Sequence, residues 1–160
     1  MMASTAAKPS YVRIVEHALD ISDLVARVAD PGAGATSLFL GSVRDVDNGE
    51  PVTGIDYQAY VAMAERELAQ IADEAGARFG TRAIAVEHRI GFLEIGEISV
   101  AIAASHERRG AAMDATRFVI EEIKRRLPIW KREHYADGRR EWVDPTRPSA
   151  MDMARAMVQR

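Results

Sequence analysis

Hydrophobic positions along the chain recur with two periods, and the switches between them mark out strands and helices. After a small, polar stretch at residues 1–10, expected to be a flexible leader, residues 11–15 open a strand. Asp20 or Ser22 can cap a short helix reaching Ala29, and DPGAGA from Asp30 to Ala35 breaks it. Residues 36–43, rich in Leu, Phe and Val, read as the next strand, and residues 52–60 alternate as another. Asn48-Gly49 between them predicts a hairpin of these two strands with a long tip. Ala64, Leu68, Ile71, Ala75 and Phe79 follow the spacing of one helix face over residues 63–79, with Gly80 as the stop.

The second half repeats this alternation of periods. Residues 84–90 read as a strand, GFLEIGE as a turn, and Ile98, Val100 and Ile102 as the following strand, so a second hairpin is expected. Met113, Thr116, Ile120, Ile123 and Leu127 form one stripe of a second long helix over residues 110–127, and Pro128 discourages its continuation. PIWKREHY then reads as extended, Asp137-Gly138 as a turn and REWV as a strand, with a weak last helix over residues 149–158. This order predicts an α+β fold: residues 11–160 as a single domain, a mixed or antiparallel sheet with two long helices packed on one side.

Composition narrows the chemistry. The chain has 160 residues, 48% hydrophobic and 28% charged, which is globular composition with enough length for a core of its own. It has no cysteine, so disulfides, thiolate metal sites and a cysteine nucleophile are excluded, and any sulfur chemistry must import its sulfur. No apolar run approaches the ~20 residues of a membrane span, and the N-terminus lacks the apolar core of a signal peptide, so the cytoplasm is the expected compartment. A net charge of −3 and 6% aromatic residues argue against a nucleic-acid-binding face.

Against that acidic background, Lys124, Arg125, Arg126, Lys131 and Arg132 crowd around Leu127-Pro128-Ile129-Trp130. Arg125 and Arg126 fit solvated charges that complement a helix C-terminus. Lys124, four residues after Ile120, sits at the margin of the apolar stripe, where partial burial lowers a lysine pKa. Lys131 lies beyond the helix-ending proline, either aimed back toward Lys124 or snorkelling at the surface. Arg44, in GSVRD, suits a phosphate or carboxylate, or else pairs with Asp45 or Asp47. Arg108 and Arg109 stand at the start of the second long helix, where backbone amides also attract anions. His106 and His88 read as structural histidines; no metal-binding spacing, nucleotide loop or serine-hydrolase elbow accompanies them.

Five separated stretches carry a resemblance: FLGSVRD followed by NG, YQAYVAMAE, EHRIGFLEIGE, SHERRGAAMDA and IKRRLPIWKRE. Together, over residues 11–143, they resemble the large, catalytic subunit of molybdopterin synthase. The resemblance implies a hammerhead-like α+β fold and a sulfurtransferase that converts cyclic pyranopterin monophosphate to molybdopterin in molybdenum cofactor biosynthesis. Sulfur would arrive as a thiocarboxylate on the C-terminal Gly-Gly of a small ubiquitin-like carrier subunit, with two copies of the large subunit at the centre of a heterotetramer. No cofactor or metal is implied. The chain ends MVQR without Gly-Gly, so it is not expected to be the carrier.

Carried over residue by residue, the resemblance makes Lys124 and Lys131 the active-site lysines and Arg44 a substrate-binding arginine, with Ser42 and Val43 lining its turn. Arg132 and Glu133 become pocket residues. Arg108 occupies a position where the family commonly has histidine, Arg109 falls on its arginine, and this pair is expected to reach the substrate pocket across the dimer. Gln58 stands where glutamate is usual. The alternative from another class is a noncatalytic module whose cations dock an anion or an acidic partner tail.

Overall fold

Strands β5 (Ala83–Arg89) and β7 (Ile98–His106) are apolar on both faces, so each face needs its own cover. They occupy the middle of a four-stranded sheet ordered β1-β5-β7-β2, where β1 is Tyr11–Val15 and β2 is Ala35–Ser42. β1 runs parallel to β5; the other pairings are antiparallel. The computed structural model describes residues 6–143 and 157–158, and the expected helix at residues 149–158 lies, but for its residues 157–158, outside them. Among the described residues no helix is long and apolar enough to cross a membrane.

On one face, Ile84, Val86, Ile102 and Ala104 pack against helices α2 (Val61–Phe79) and α3 (Arg109–Arg126). On the other, Ala83, Ala85, Ala101 and Ala103 leave room for α1 (Ile21–Arg27) to seat Leu24, with Val28 just beyond its end. The two long helices share one face as expected, and the short α1 covers the other, because β5 and β7 alternate large apolar residues with alanine instead of with polar residues. Asp20 caps α1 by accepting the Asp23 amide at 3.0 Å. Gly80 ends α2 in the left-handed conformation, φ 66°, that glycine adopts without cost. The buried face of α3 is Ala112, Ala115, Thr116, Val119 and Ile123, rotated from the expected stripe, and Met113 is exposed. That rotation leaves Ile120 and Lys124 together at the edge of the core.

The remaining strands form a second sheet, ordered β3-β4-β8-β9, with β6 also paired to β4. These are β3 (Val46–Asp47), β4 (Glu50–Ala59), β6 (Gly91–Glu94), β8 (Ile129–Tyr135) and β9 (Arg140–Val143). Two expectations change here. The strand at residues 36–43 does not pair with the one at residues 52–60: β2 pairs with β7, its register shifts at Gly41/Ser42, and the chain leaves for the second sheet. The Asn48-Gly49 hairpin joins only β3 to β4, both turn residues at positive φ, with Asp47 opposite Glu50. GFLEIGE is mostly strand: Leu93 is fully buried opposite Ile55, and only its Ile95-Gly96 portion turns. The β5–β7 hairpin and the extended stretch after α3 follow the expectation. One apolar cluster, including Val43, Ile55, Leu93, Leu127 and Ile129, joins the two sheets.

Candidate functional site

Where the two sheets meet beside α3 lies a cavity of about 160 Å³, lined from both sheets and from α3. β2 contributes Ser42 and the turn after it Arg44, β3 contributes Asp47, β4 contributes Ile55 and Tyr57, β7 contributes Ser99, α3 contributes Ile120 and Lys124, and β8 contributes Lys131 and Glu133. Strand alternation explains the choice on β8. Lys131 lies directly opposite Tyr57 and Glu133 opposite Ile55, so these four share the face that looks into the cavity.

Three cations thus converge: Arg44, Lys124 and Lys131. Lys131 Nζ is 3.2 Å from Glu133 Oε1, and Glu133, only 2% exposed, leaves Oε2 without a hydrogen-bond partner. Neither Arg44 nor Lys124 has an ion-pair partner among the described residues, so the Asp45 or Asp47 pairing considered for Arg44 does not occur. Lys124 lines the cavity and is exposed to solvent as well. Burial lowers its pKa below the usual lysine value, and the Lys131 and Arg44 charges push in the same direction. Asp47 closes the rim, held by the Tyr135 hydroxyl at 2.9 Å.

Two residues expected at the pocket stand elsewhere. Arg132 lies on the opposite face of β8, where it pairs with Asp56 at 3.0 Å and stacks over Trp142; the strand's period of two forbids it from joining Lys131. Val43 is 3% exposed and sits in the core; its backbone, bonded to Glu97 and Gly96, fixes the turn that presents Ser42 and Arg44. Gln58 is exposed opposite Trp130, away from the cavity. Arg126 is no free surface charge: it reaches Glu67, Glu74 and Glu122 and ties α3 to α2, whereas Arg125 is exposed beside Glu122.

Arg108 and Arg109 are exposed at the far end of α3, roughly 22 Å along the helix from Lys124 at 1.5 Å per residue. They border a separate, open concavity with Gly34 and His106. His106 is structural as expected, its Nδ1 accepting the Arg108 amide at 2.8 Å. Among the described residues no cluster of three or more histidines and carboxylates could hold a metal ion. The polar cavity residues that the sequence reading passed over are Tyr57 and Ser99; Asp47, which it offered only as a partner for Arg44, also lines the cavity. The alternation of β4 already placed Tyr57 on the face of Ile55, but nothing local told which face looked into a cavity.

Residues 14–126 match the family model described as MoaE protein. The chain belongs to the MoaE family. A molybdopterin synthase catalytic subunit from Oryza sativa subsp. indica is 47% identical over 133 residues, 80% of this chain and 69% of that one. The corresponding subunit of Halalkalibacterium halodurans is 42% identical over 130 residues, 81% of this chain and 83% of the relative. The crystal structure of molybdopterin synthase from Staphylococcus aureus matches with a TM-score of 0.78 at 37% identity, covering 82% of this chain and 96% of that one.

Proposed function

We propose that this MoaE protein is the sulfur-inserting subunit that converts cyclic pyranopterin monophosphate to molybdopterin, in the cytoplasm, with sulfur from the C-terminal thiocarboxylate of a small ubiquitin-like carrier. The observation that carries this reading is Lys124, held in a concave wall without a counter-ion beside Arg44 and Lys131, its pKa lowered by burial and by both neighbours. Such a set attracts two anions, a phosphate and a thiocarboxylate, and one of its members gives up a proton more readily than a free lysine. A chain without cysteine must receive its sulfur from outside, which a thiocarboxylate supplies.

As the carrier's sulfur attacks the pterin side chain, negative charge gathers on the oxygen to be displaced. Ammonium groups already in place stabilise that charge and protonate the leaving oxygen. Arg44, with Ser42 beside it, holds the substrate's phosphate at the cavity mouth, and Glu133 keeps Lys131 in register. Arg108 and Arg109, too far away to act in their own chain's cavity, serve the cavity of a second copy. Lys124→Ala should lower product formation by at least about 100-fold while the chain still folds and dimerises. The assay mixes the pure chain with thiocarboxylated carrier and the cyclic pterin, and near-normal turnover in that variant refutes the assignment.

A further inference from the structure

Two carboxylates line the cavity beside its three cations, and only one of them has a cation to neutralise. Glu133 pairs with Lys131 at 3.2 Å. Asp47 forms no ion pair among the described residues, although Arg44 stands three residues before it. A neutral donor holds it instead: the Tyr135 hydroxyl donates to Asp47 Oδ2 at 2.9 Å, and Oδ1 has no partner among the described residues. Tyr135 follows Lys131 and Glu133 at the strand's period of two, so this bond lies on the face of β8 that looks into the cavity. Burial, and then Asp47 itself, push the phenol pKa up to about 12, so the hydroxyl keeps the proton it donates.

The backbone fixes Asp47 as well. It lies opposite Glu50 in the β3–β4 hairpin, the Val52 amide donates to the Asp45 carbonyl at 2.9 Å, and the Ala136 amide donates to the Pro51 carbonyl at 2.9 Å. A carboxylate so oriented, with lone pairs left over and no cation spent on it, is an acceptor for neutral N–H donors. Phosphate and thiocarboxylate are repelled by it, so it serves neither. A pterin offers the right donors: its pyrimidinone edge carries a ring N–H beside an exocyclic amino group. We propose that Asp47 is a specificity-determining residue that accepts these two hydrogens and thereby turns the phosphate end of the substrate toward Arg44. The three residues from Arg44 to Asp47 span at most about 10 Å, so one short segment holds both ends of the ligand. The inference rests on the reading that the cavity takes a cyclic pterin phosphate.

Asp47→Asn keeps the size of the side chain, removes its charge and turns half of the acceptor into a donor. Taking a negative charge off the lining strengthens the binding of any anion, so electrostatics alone predicts tighter pterin binding, whereas loss of the paired acceptor predicts the opposite. Calorimetric titration of the full chain without carrier, with the cyclic pterin and separately with inorganic phosphate, separates the two. The Kd for the pterin should rise about 10- to 100-fold while that for phosphate stays level or falls. The unaltered protein should also prefer pterin-6-carboxylate by about 10-fold over its 2,4-dioxo counterpart, which has a carbonyl in place of the amino group. That preference should vanish in Asp47→Asn and shrink in Tyr135→Phe, which frees the carboxylate to swing. Pterin affinity unchanged or raised in Asp47→Asn overturns the proposal, as does a loss confined to binding of the carrier. If the unaltered protein binds no pterin, the functional reading falls and this inference with it. If Asp47→Asn does not fold, the amino-against-oxo preference of the unaltered protein and of Tyr135→Phe decides alone.

Discussion

His88 makes the fold sensitive to mild acid in a calculable way. It is 5% exposed, flanked by Tyr57, and its Nδ1–H donates to the Arg89 carbonyl at 2.9 Å. Burial disfavours the imidazolium, Lys124 adds repulsion, and the pKa is pushed down to about 4 from an ordinary 6.5. A histidine with a depressed native pKa is protonated in the unfolded chain first. Stability is therefore complete above about pH 7, declines as pH falls through the unfolded value, and stops declining below about 4. Integrated over the two titrations, the loss between pH 7 and pH 5 is about 2 kcal/mol, and at full extent about 3 kcal/mol. His88→Gln retains a donor for the Arg89 carbonyl but cannot titrate. Urea unfolding of both proteins at pH 7 and pH 5 isolates the effect, since other groups titrate in both and cancel. The variant starts lower at pH 7 because the ring contact with Tyr57 is gone, but it should lose about 2 kcal/mol less on acidification. Parallel losses in the two proteins would refute the buried neutral histidine.

Two further perturbations test the packing around the cavity. Arg126→Ala should cost about 1–2 kcal/mol in urea unfolding, because one guanidinium, 25% exposed, holds three glutamates from two helices; the difference should shrink in high salt. Gly54→Ala should lower the urea midpoint by the equivalent of about 1–3 kcal/mol, since a Cβ there would lie 2.5 Å from Phe92 Cζ and 2.8 Å from the Leu93 carbonyl oxygen. Phe92 can swing aside, but the β6 backbone cannot. A midpoint unchanged by Gly54→Ala would mean that β6 is not seated on β4.

Elements whose signal is local were legible from the residues. The 3–4 spacing of α2, its glycine stop, the Asn48-Gly49 turn and the alternation of β8 each depend on neighbours in the chain. Pairing was not legible. Whether residues 36–43 meet residues 52–60 or residues 98–106 depends on a one-residue register shift at Gly41/Ser42, which no local pattern encodes. GFLEIGE failed for a related reason: two glycines in seven residues outweigh the single buried Leu93 that makes the segment a strand. At the site, Lys124 was placed at the edge of the core from its distance to Ile120, even though the stripe itself was rotated. Motif adjacency puts Arg132 beside Lys131 in the sequence, whereas strand alternation turns it to the other face of β8, toward Asp56.

Proximity in sequence is a poor guide to which of these cations act, and pairing in space is a better one. Arg125, Arg126 and Arg132 all belong to the basic segment, yet each is engaged by a carboxylate, Glu122, the trio of Glu67, Glu74 and Glu122, or Asp56. Their charges are balanced, so the field they project is small. Lys124 and Arg44 come from segments eighty residues apart and face one cavity unneutralised, with Lys131 only half engaged because Glu133 lends it one oxygen. With three cations against Asp47 and Glu133 on its lining, the cavity keeps an excess of positive charge in a chain of net charge −3, which favours anions there. Burial first, and then the Lys131 and Arg44 charges, lower the pKa of Lys124. Anions entering the cavity would offset the repulsion from Lys131 and Arg44 and move the Lys124 pKa back toward its ordinary value, so anion binding and the acidity of this lysine are coupled.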